Sequence, residues 1–192
     1  MARDGIAVRP VTPSRWEDLE RLFGPNGAYS NCWCMWWRMP SKEFDRAGGP
    51  AKRRSLRELT ERRRVPGLLA YRDGEAVGWV SVAPREEFGR IERSRTLGRV
   101  DDRPVWSIVC FYIPRRHRGR GVGRALLRGA LEHVRERGGR LVEAYPIDTG
   151  RDRRPAAEIY TGTLRMFEAA GFREVARRGR RPIVRRAVRP RS

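Results

Sequence analysis

The spacing of apolar positions changes several times along this chain, and each change marks an element. Ile6-Ala7-Val8-Arg9 is a short β-type run. Over residues 13–23, Trp16, Leu19, Leu22 and Phe23 fall on one helical face, with Thr12 or Ser14 as the N-cap. Residues 50–64 read as a basic helix that turns Leu56 and Leu59 inward. Residues 67–71 and 76–83 are strands joined by a hairpin turn at Arg72-Asp73-Gly74-Glu75. Residues 84–99 form a long polar connector carrying Glu86, Glu87 and Glu92. Residues 105–113 are rich in β-branched and aromatic residues and predict a buried strand. Val122, Leu126, Leu127, Ala130, Leu131 and Val134 then lie on one face at 3.6 residues per turn, and Gly138-Gly139 closes that helix. A strand at 141–146, a polar linker at 147–154, a late helix at 164–170 and strands at 173–176 and 183–187 complete the chain.

Between the buried strand and the long helix lies the most chemically specific stretch. Arg118-Gly119-Arg120-Gly121-Val122-Gly123-Arg124 places three glycines at alternate positions in a basic turn that opens a helix. Glycines let backbone amides approach a ligand and point inward. A helix N-terminus adds unpaired N–H groups and the positive end of its dipole. The combination is an anion cradle. The Walker pattern fails because no lysine follows Gly123. The dinucleotide fingerprint fails because its third glycine comes one residue early.

The turn instead resembles the pyrophosphate loop of the GNAT superfamily of acyl-CoA N-acyltransferases, whose pattern is Arg/Gln-x-x-Gly-x-Gly/Ala. Phe167-Glu168-Ala169-Ala170-Gly171-Phe172 is similar to that family's late helix and the turn after it. The resemblance is specific over 105–175 and places roughly 6–188 in the fold, so that 1–192 reads as a single acetyltransferase domain. It implies an α/β (α+β) architecture: a mixed sheet of six to seven strands, about four flanking helices, and splayed fourth and fifth strands. Acetyl-CoA is then a co-substrate with its thioester arm between those strands, and no metal is needed. The cofactor-binding residues implied are Phe111, Tyr112 and Ile113 on the fourth strand, with Arg118, Gly119, Arg120, Gly121, Val122, Gly123 and Arg124 around the diphosphate. An amine attacks the thioester directly in a ternary complex, and amides around Phe111 and Ile113 stabilise the oxyanion.

The amine must shed a proton first. An alkyl amine of pKa about 10.4 carries a penalty of about 4.6 kcal/mol at pH 7. Glu143 on the fifth strand is the first candidate base, with Glu86, Glu87 and Asp148 behind it; the competing reading makes Glu143 an outward, solvated strand residue. The family's late-helix tyrosine, which protonates the leaving thiolate, is Phe167 here. Tyr160 stands in for it, with Tyr145 and Tyr112 as alternatives. For the acceptor, Tyr29 to Met39 holds three Trp, two Cys and two Met. Cys32, Trp33, Trp36 and Trp37 are either an aromatic wall, with Asn31 or Arg38 as polar contacts, or a buried plug. No activating neighbour marks Cys32 or Cys34 as a nucleophile.

Composition narrows the partners. The chain has 192 residues, 43 basic against 23 acidic, and a net charge of +20. The arginines are spread along the chain rather than gathered in one block, which weakens but does not remove a nucleic-acid or tRNA reading. Three cysteines do not make a disulfide framework, and Cys32-Trp33-Cys34 is too tight for a zinc knuckle. No apolar run reaches 18 residues and no signal segment opens the chain, so a cytoplasmic protein without membrane contact is expected. The acceptor read from the sequence is a small-molecule amine. The alternatives are a protein or aminoacyl-tRNA amine, a non-catalytic acyl-CoA-binding regulatory module, or a basic nucleic-acid-binding protein. The resemblance also implies that a homodimer would be ordinary.

Overall fold

The computed structural model describes residues 5–62, 64–150, 155 and 158–189. Seven strands form one mixed sheet: β1 (Ala7–Pro10), β2 (Gly67–Arg72), β3 (Glu75–Pro84), β4 (Trp106–Tyr112), β5 (Leu141–Ala144), β6 (Arg173–Arg178) and β7 (Arg181–Ala187). Their order is β1-β2-β3-β4-β5-β7-β6. Every neighbouring pair is antiparallel except β4 and β5, which run parallel. The β2–β3 turn has Asp73 and Gly74 both at positive φ (51° and 80°), as a tight two-residue hairpin requires. The helices are α1 (Trp16–Phe23), α2 (Ser41–Arg46), α3 (Gly49–Glu61), α4 (Gly89–Glu92), α5 (Val122–Glu136) and α6 (Leu164–Ala169). The described residues thus hold six helices where about four were expected; the extra ones are α2 and α4, each too short to show a period.

A parallel pair cannot be closed by a hairpin, so β4 and β5 need a crossover, and α5 supplies it. Its apolar stripe lies against β1, β2 and β3. Two glycines allow the close seat. A Cβ at Gly78 on β3 would meet Val122 Cγ1 at 2.7 Å, and one at Gly129 on α5 would meet Val8 Cβ at 2.7 Å. The opposite sheet face is covered by α1, α3 and the segment at 27–39. There Leu19, Phe23, Trp33, Leu56, Leu69 and Trp79 share one core.

Two expectations need correcting. Neither Thr12 nor Ser14 caps α1: their hydroxyls bond each other at 2.9 Å, and a 3-10 turn at Pro13–Arg15 leads into the helix. The 84–99 connector is not merely polar. It folds through a 3-10 turn (Arg85–Glu87) and α4, and buries Phe88, Ile91 and Leu97 against Tyr145 and Ile183. Its flanking arginines and glutamates hide that short apolar spacing. Part of the 147–154 linker lies outside the described residues. Of the rest, Ile147 makes a parallel bridge to Thr163.

Alanine normally gains about 1 kcal/mol over glycine inside a helix, whereas overpacking costs about 1–3 kcal/mol. Because a Cβ at Gly129 presses on the branch point of Val8, Gly129→Ala is expected to destabilise the protein in urea unfolding. A gain in stability would show that the contact yields. A second test concerns His133, buried on α5 beside Trp106. Burial, with Arg137 nearby, lowers its pKa to about 4. The unfolded chain, titrating near 6.5, then binds more protons than the folded one between those values. Stability should therefore fall as pH drops from about 6.5 to 4, by on the order of 3 kcal/mol. His133→Leu should flatten that part of the profile in pH-dependent urea titrations.

Candidate active site

The site begins at an irregularity. Ser81 pairs with Cys110 but Val82 pairs with Ile108, so Val109 is an extra residue on β4. A bulge bends its strand. Pairing between β4 and β5 ends at the same level, at Ile108 with Ala144. Beyond it the two strands separate and the Phe111 edge faces a wedge. A carbonyl fills part of that wedge: the Phe111 N–H donates to Tyr160 O at 2.6 Å. The Tyr160 segment is held there by Ile147, whose N–H donates to Gly162 O at 2.9 Å.

At the end of β4 the chain turns into the cradle. Gly119 and Gly121 have φ of 71° and 82°, and a Cβ at either would meet nothing within 4 Å. Gly121 is the residue before α5, and its carbonyl accepts the Ala125 N–H at 3.0 Å. The amides of Val122, Gly123 and Arg124 therefore precede the first bond of the helix and point outward from its positive end. The Val122 side chain is core, 1% exposed, so only its backbone can serve a ligand. Arg118, Arg120 and Arg124 are exposed. Arg118 Nε donates to Ile113 O at 2.8 Å, and Arg72 Nη2 to Arg120 O at 2.8 Å, which pins the turn at both ends.

The aromatic side of the site is built by a backbone that would not hold its shape alone. Ala28, Ser30, Asn31, Trp33 and Cys34 all have positive φ, between 46° and 72°. Non-glycine residues there cost about 1–2 kcal/mol each. Buried anchors offset this. Trp33, 6% exposed, packs on Trp16 and Phe23 with ring centroids 6.3 and 5.6 Å away. A side chain at Gly27 would collide with the Trp33 indole. Cys34 Sγ accepts the Trp79 indole N–H at 3.1 Å. With Trp33 and Cys34 held, Cys32, Trp36 and Trp37 are turned toward a cavity of about 730 Å³.

That cavity joins the two halves. Its lining includes Arg118 and Gly123 from the cradle, and Cys110, Phe111, Tyr112 and Ile113 from β4. Tyr29, Cys32, Cys34, Trp36, Trp37 and Phe44 form the aromatic wall, and Tyr160, Thr163 and Met166 come from the late segment. Trp36 meets Phe44 edge-on at 5.2 Å, and Trp37 lies 6.4 Å from Tyr160. Among the described residues, Arg118 is the only charged side chain in the lining. A hydrogen bond from Cys110, with lesser help from the Trp79 N–H and the Arg38 charge, holds the Cys34 thiol below its ordinary range. The same bond and burial push Cys110 well up. Cys110 and Trp79 come from β4 and β3, far from Cys34 in the sequence, while Arg38 lies only four positions on.

Several candidates lie elsewhere. Trp33 does not line the cavity; it is core. Arg38 is turned away, with Nη1 2.6 Å from Glu87 Oε2. Asn31 is exposed and outside the lining. Glu143 is neither a cavity base nor a solvated strand residue. It is fully buried, one oxygen bonded by Arg85 and by the Tyr145 hydroxyl (2.6 Å), the other by Arg185 Nε at 2.7 Å. Asp101 and Glu92 extend this ion network. Tyr145 belongs to it, and burial raises its pKa well above 10. Glu86 is near Arg99, and Asp148 is held by Arg177 at 2.8 Å, which lowers its pKa. Tyr160 does line the cavity, and burial raises its pKa to about 12. Phe44, Cys110 and Met166 were missed. Phe44 lies in a helix too short to read from its period, and the other two look like ordinary core positions.

The fold thus brings together a parallel crossover, a glycine turn on a helix N-terminus and a splayed central strand. The acetyltransferase (GNAT) family model matches residues 32–172, and the chain belongs to this family of acetyl-CoA-dependent N-acetyltransferases. Similar solved structures include PaiA N-acetyltransferase from Thermoplasma acidophilum in complex with coenzyme A (13% identity, 95% and 98% of the two chains, TM-score 0.53). Ribosomal-protein-alanine N-acetyltransferase from Brucella melitensis is 19% identical over 95% and 99% of the chains (TM-score 0.53), and Ard1 from Thermoplasma volcanium 17% over 96% and 99% (TM-score 0.52). At such identities the likeness is one of fold. No curated protein matches the chain significantly. Among the described residues no cluster of ligating side chains could hold a metal, and no helix is long and apolar enough to cross a membrane.

Removing one partner of a buried ion pair costs about 3–5 kcal/mol, because the other charge is left unpaired. Glu143→Gln is therefore expected to lower stability by an amount of that order in urea unfolding, while folded variant keeps the wild-type pH profile of acetyl transfer. Loss of an acidic limb from that profile would return Glu143 to the chemistry.

Proposed function

We propose that this chain, acting as one acetyltransferase domain, transfers the acetyl group of acetyl-CoA to the amine of a small molecule. The observation that carries this reading is that one cavity is lined both by the anion cradle and by the aromatic wall. Its 730 Å³ lies within the range of small-molecule sites. The cradle takes the diphosphate on the amides of residues 122–124, with Arg118, Arg120 and Arg124 around it. The pantetheine arm runs along β4 into the wedge. There the Phe111 N–H exchanges the Tyr160 carbonyl for the ligand, so the Tyr160 segment shifts as the arm enters.

The acceptor occupies the wall of Cys32, Trp36, Trp37 and Phe44. Its nitrogen lone pair attacks the thioester carbon, an N–C bond forms, and charge develops on the carbonyl oxygen near the β4 amides. The C–S bond then breaks, and the surplus nitrogen proton ends on the departing sulfur. Tyr160 keeps its own proton at neutral pH, since burial raises its pKa to about 12, and is the group positioned to pass one on. The cytoplasm is the compartment in which such a protein meets acetyl-CoA.

Calorimetric titration with acetyl-CoA tests the cradle. Gly121→Glu puts a carboxylate beside the diphosphate and is expected to weaken binding by about tenfold or more. Gly121→Asn, neutral and tolerant of the left-handed backbone, should stay close to wild type. Equal losses in both variants would assign the effect to backbone strain, and no loss in either would place the diphosphate elsewhere.

A further inference from the structure

An ammonium ion entering an apolar cavity needs a carboxylate or an open aromatic face. Among the described residues this cavity offers no carboxylate. Two of its rings are already occupied. The Arg90 guanidinium carbon lies 3.7 Å from the centroid of Trp36, and Lys52 Nζ lies 3.6 Å from that of Phe44. Lys52 is only 6% exposed, and no carboxylate lies within ion-pair distance of either cation among the described residues. Arg90 Nε donates to Trp36 O at 2.6 Å, and its Nη2 is buried without a partner. Glu87 is already paired with Arg38, so it offers no spare anion. At Trp36 or Phe44 a cationic acceptor would therefore face a second positive charge across a single ring, with no carboxylate among the described lining residues to receive it.

Among the described residues the same lining has no carboxylate base. At pH 7 about one alkyl amine in 2,500 is neutral, so such a site would discard nearly all of an alkylamine substrate. We infer, on the reading that this cavity is the acceptor site of an acetyl-CoA transferase, that its substrates are flat aromatic molecules whose nucleophilic nitrogen is uncharged at neutral pH, such as arylamines and aryl hydrazides. In these the nitrogen lone pair is delocalised, so no base is required before attack. The flat ring stacks against Trp36, Trp37, Phe44 and Tyr160. The proton lost from nitrogen after attack neutralises the departing CoA thiolate, so the transfer balances without a buried anion. Lys52 and Arg90 act through the rings as specificity residues, excluding ammonium groups.

The test measures acetyl-CoA binding by calorimetry and CoA thiol release with aniline, benzohydrazide, benzylamine, spermidine and a lysine peptide. Aniline or benzohydrazide is expected to exceed benzylamine, which has the same ring but a charged nitrogen, by about tenfold or more in kcat/KM. Lys52→Met, checked for folding by circular dichroism, should reduce that preference by about threefold. Acetyl-CoA binding with turnover only on benzylamine, spermidine or the peptide, or on none of the panel, overturns the acceptor class and leaves the acetyl-CoA reading standing. Absence of acetyl-CoA binding overturns both. An unchanged preference in the folded Lys52→Met protein overturns the role of the cations.

Discussion

Val109 is one residue more than β3 can pair, and the bend it puts into β4 ends contact with β5 after Ile108 and Ala144. Without that separation β4 would bond a neighbour along its whole length, and its outer edge would have no amide to give a ligand. With it, the end of β4 becomes the floor of a cavity. The turn that follows carries the chain into α5, whose N-terminus must lie beside the floor because the turn is short. The crossover back to β5 then packs α5 across β1 to β3, so the geometry of the cradle and the stability of the core rest on one strand.

Charge is handled in two ways on the two sides of this strand. Under β5, Glu143 is surrounded by Arg85, Arg185 and Tyr145, and the network ties the 84–99 connector to β5 and β7. Buried ions are tolerated there because each has an opposite partner. Around the cavity the arrangement is different: Lys52 and Arg90 rest on aromatic faces, with no carboxylate within ion-pair distance among the described residues. A cation–π contact is worth about 0.5–2 kcal/mol, enough to hold a side chain but not to neutralise its field. An apolar wall backed by positive charge is the result.

The strained segment at 28–34 shows how a loop becomes a wall. Its left-handed residues are unfavourable one by one, yet the burial of Trp33 and Cys34 leaves the chain no other path. The side chains then divide: Trp33 packs in the core, Cys34 is buried at the edge of the cavity, and Cys32, Trp36 and Trp37 line it. Trp33 thus belongs to a buried plug, while Cys32, Trp36 and Trp37 line the cavity.

The strands, the long helix and the glycine turn were legible in the sequence because each depends on local chemistry. Periodicity of 2 or 3.6 survives in any fold, and Arg118 to Arg124 needs only its own backbone to form a cradle. Long-range pairing was not legible. Nothing near Glu143 marks it as the centre of an ion network, since Arg85 and Arg185 come from positions 58 before and 42 after it. Trp33 and Trp36 are alike in composition and differ only in what packs on them. Phe44, Lys52 and Arg90 become one assembly with Trp36 only when α2, α3 and α4 close on the 27–39 segment. Sequence alone determined the strands, the longer helices and the glycine turn; tertiary structure decided which side chains face the cavity and with what charge behind them, because burial and field are sums over residues distant along the chain.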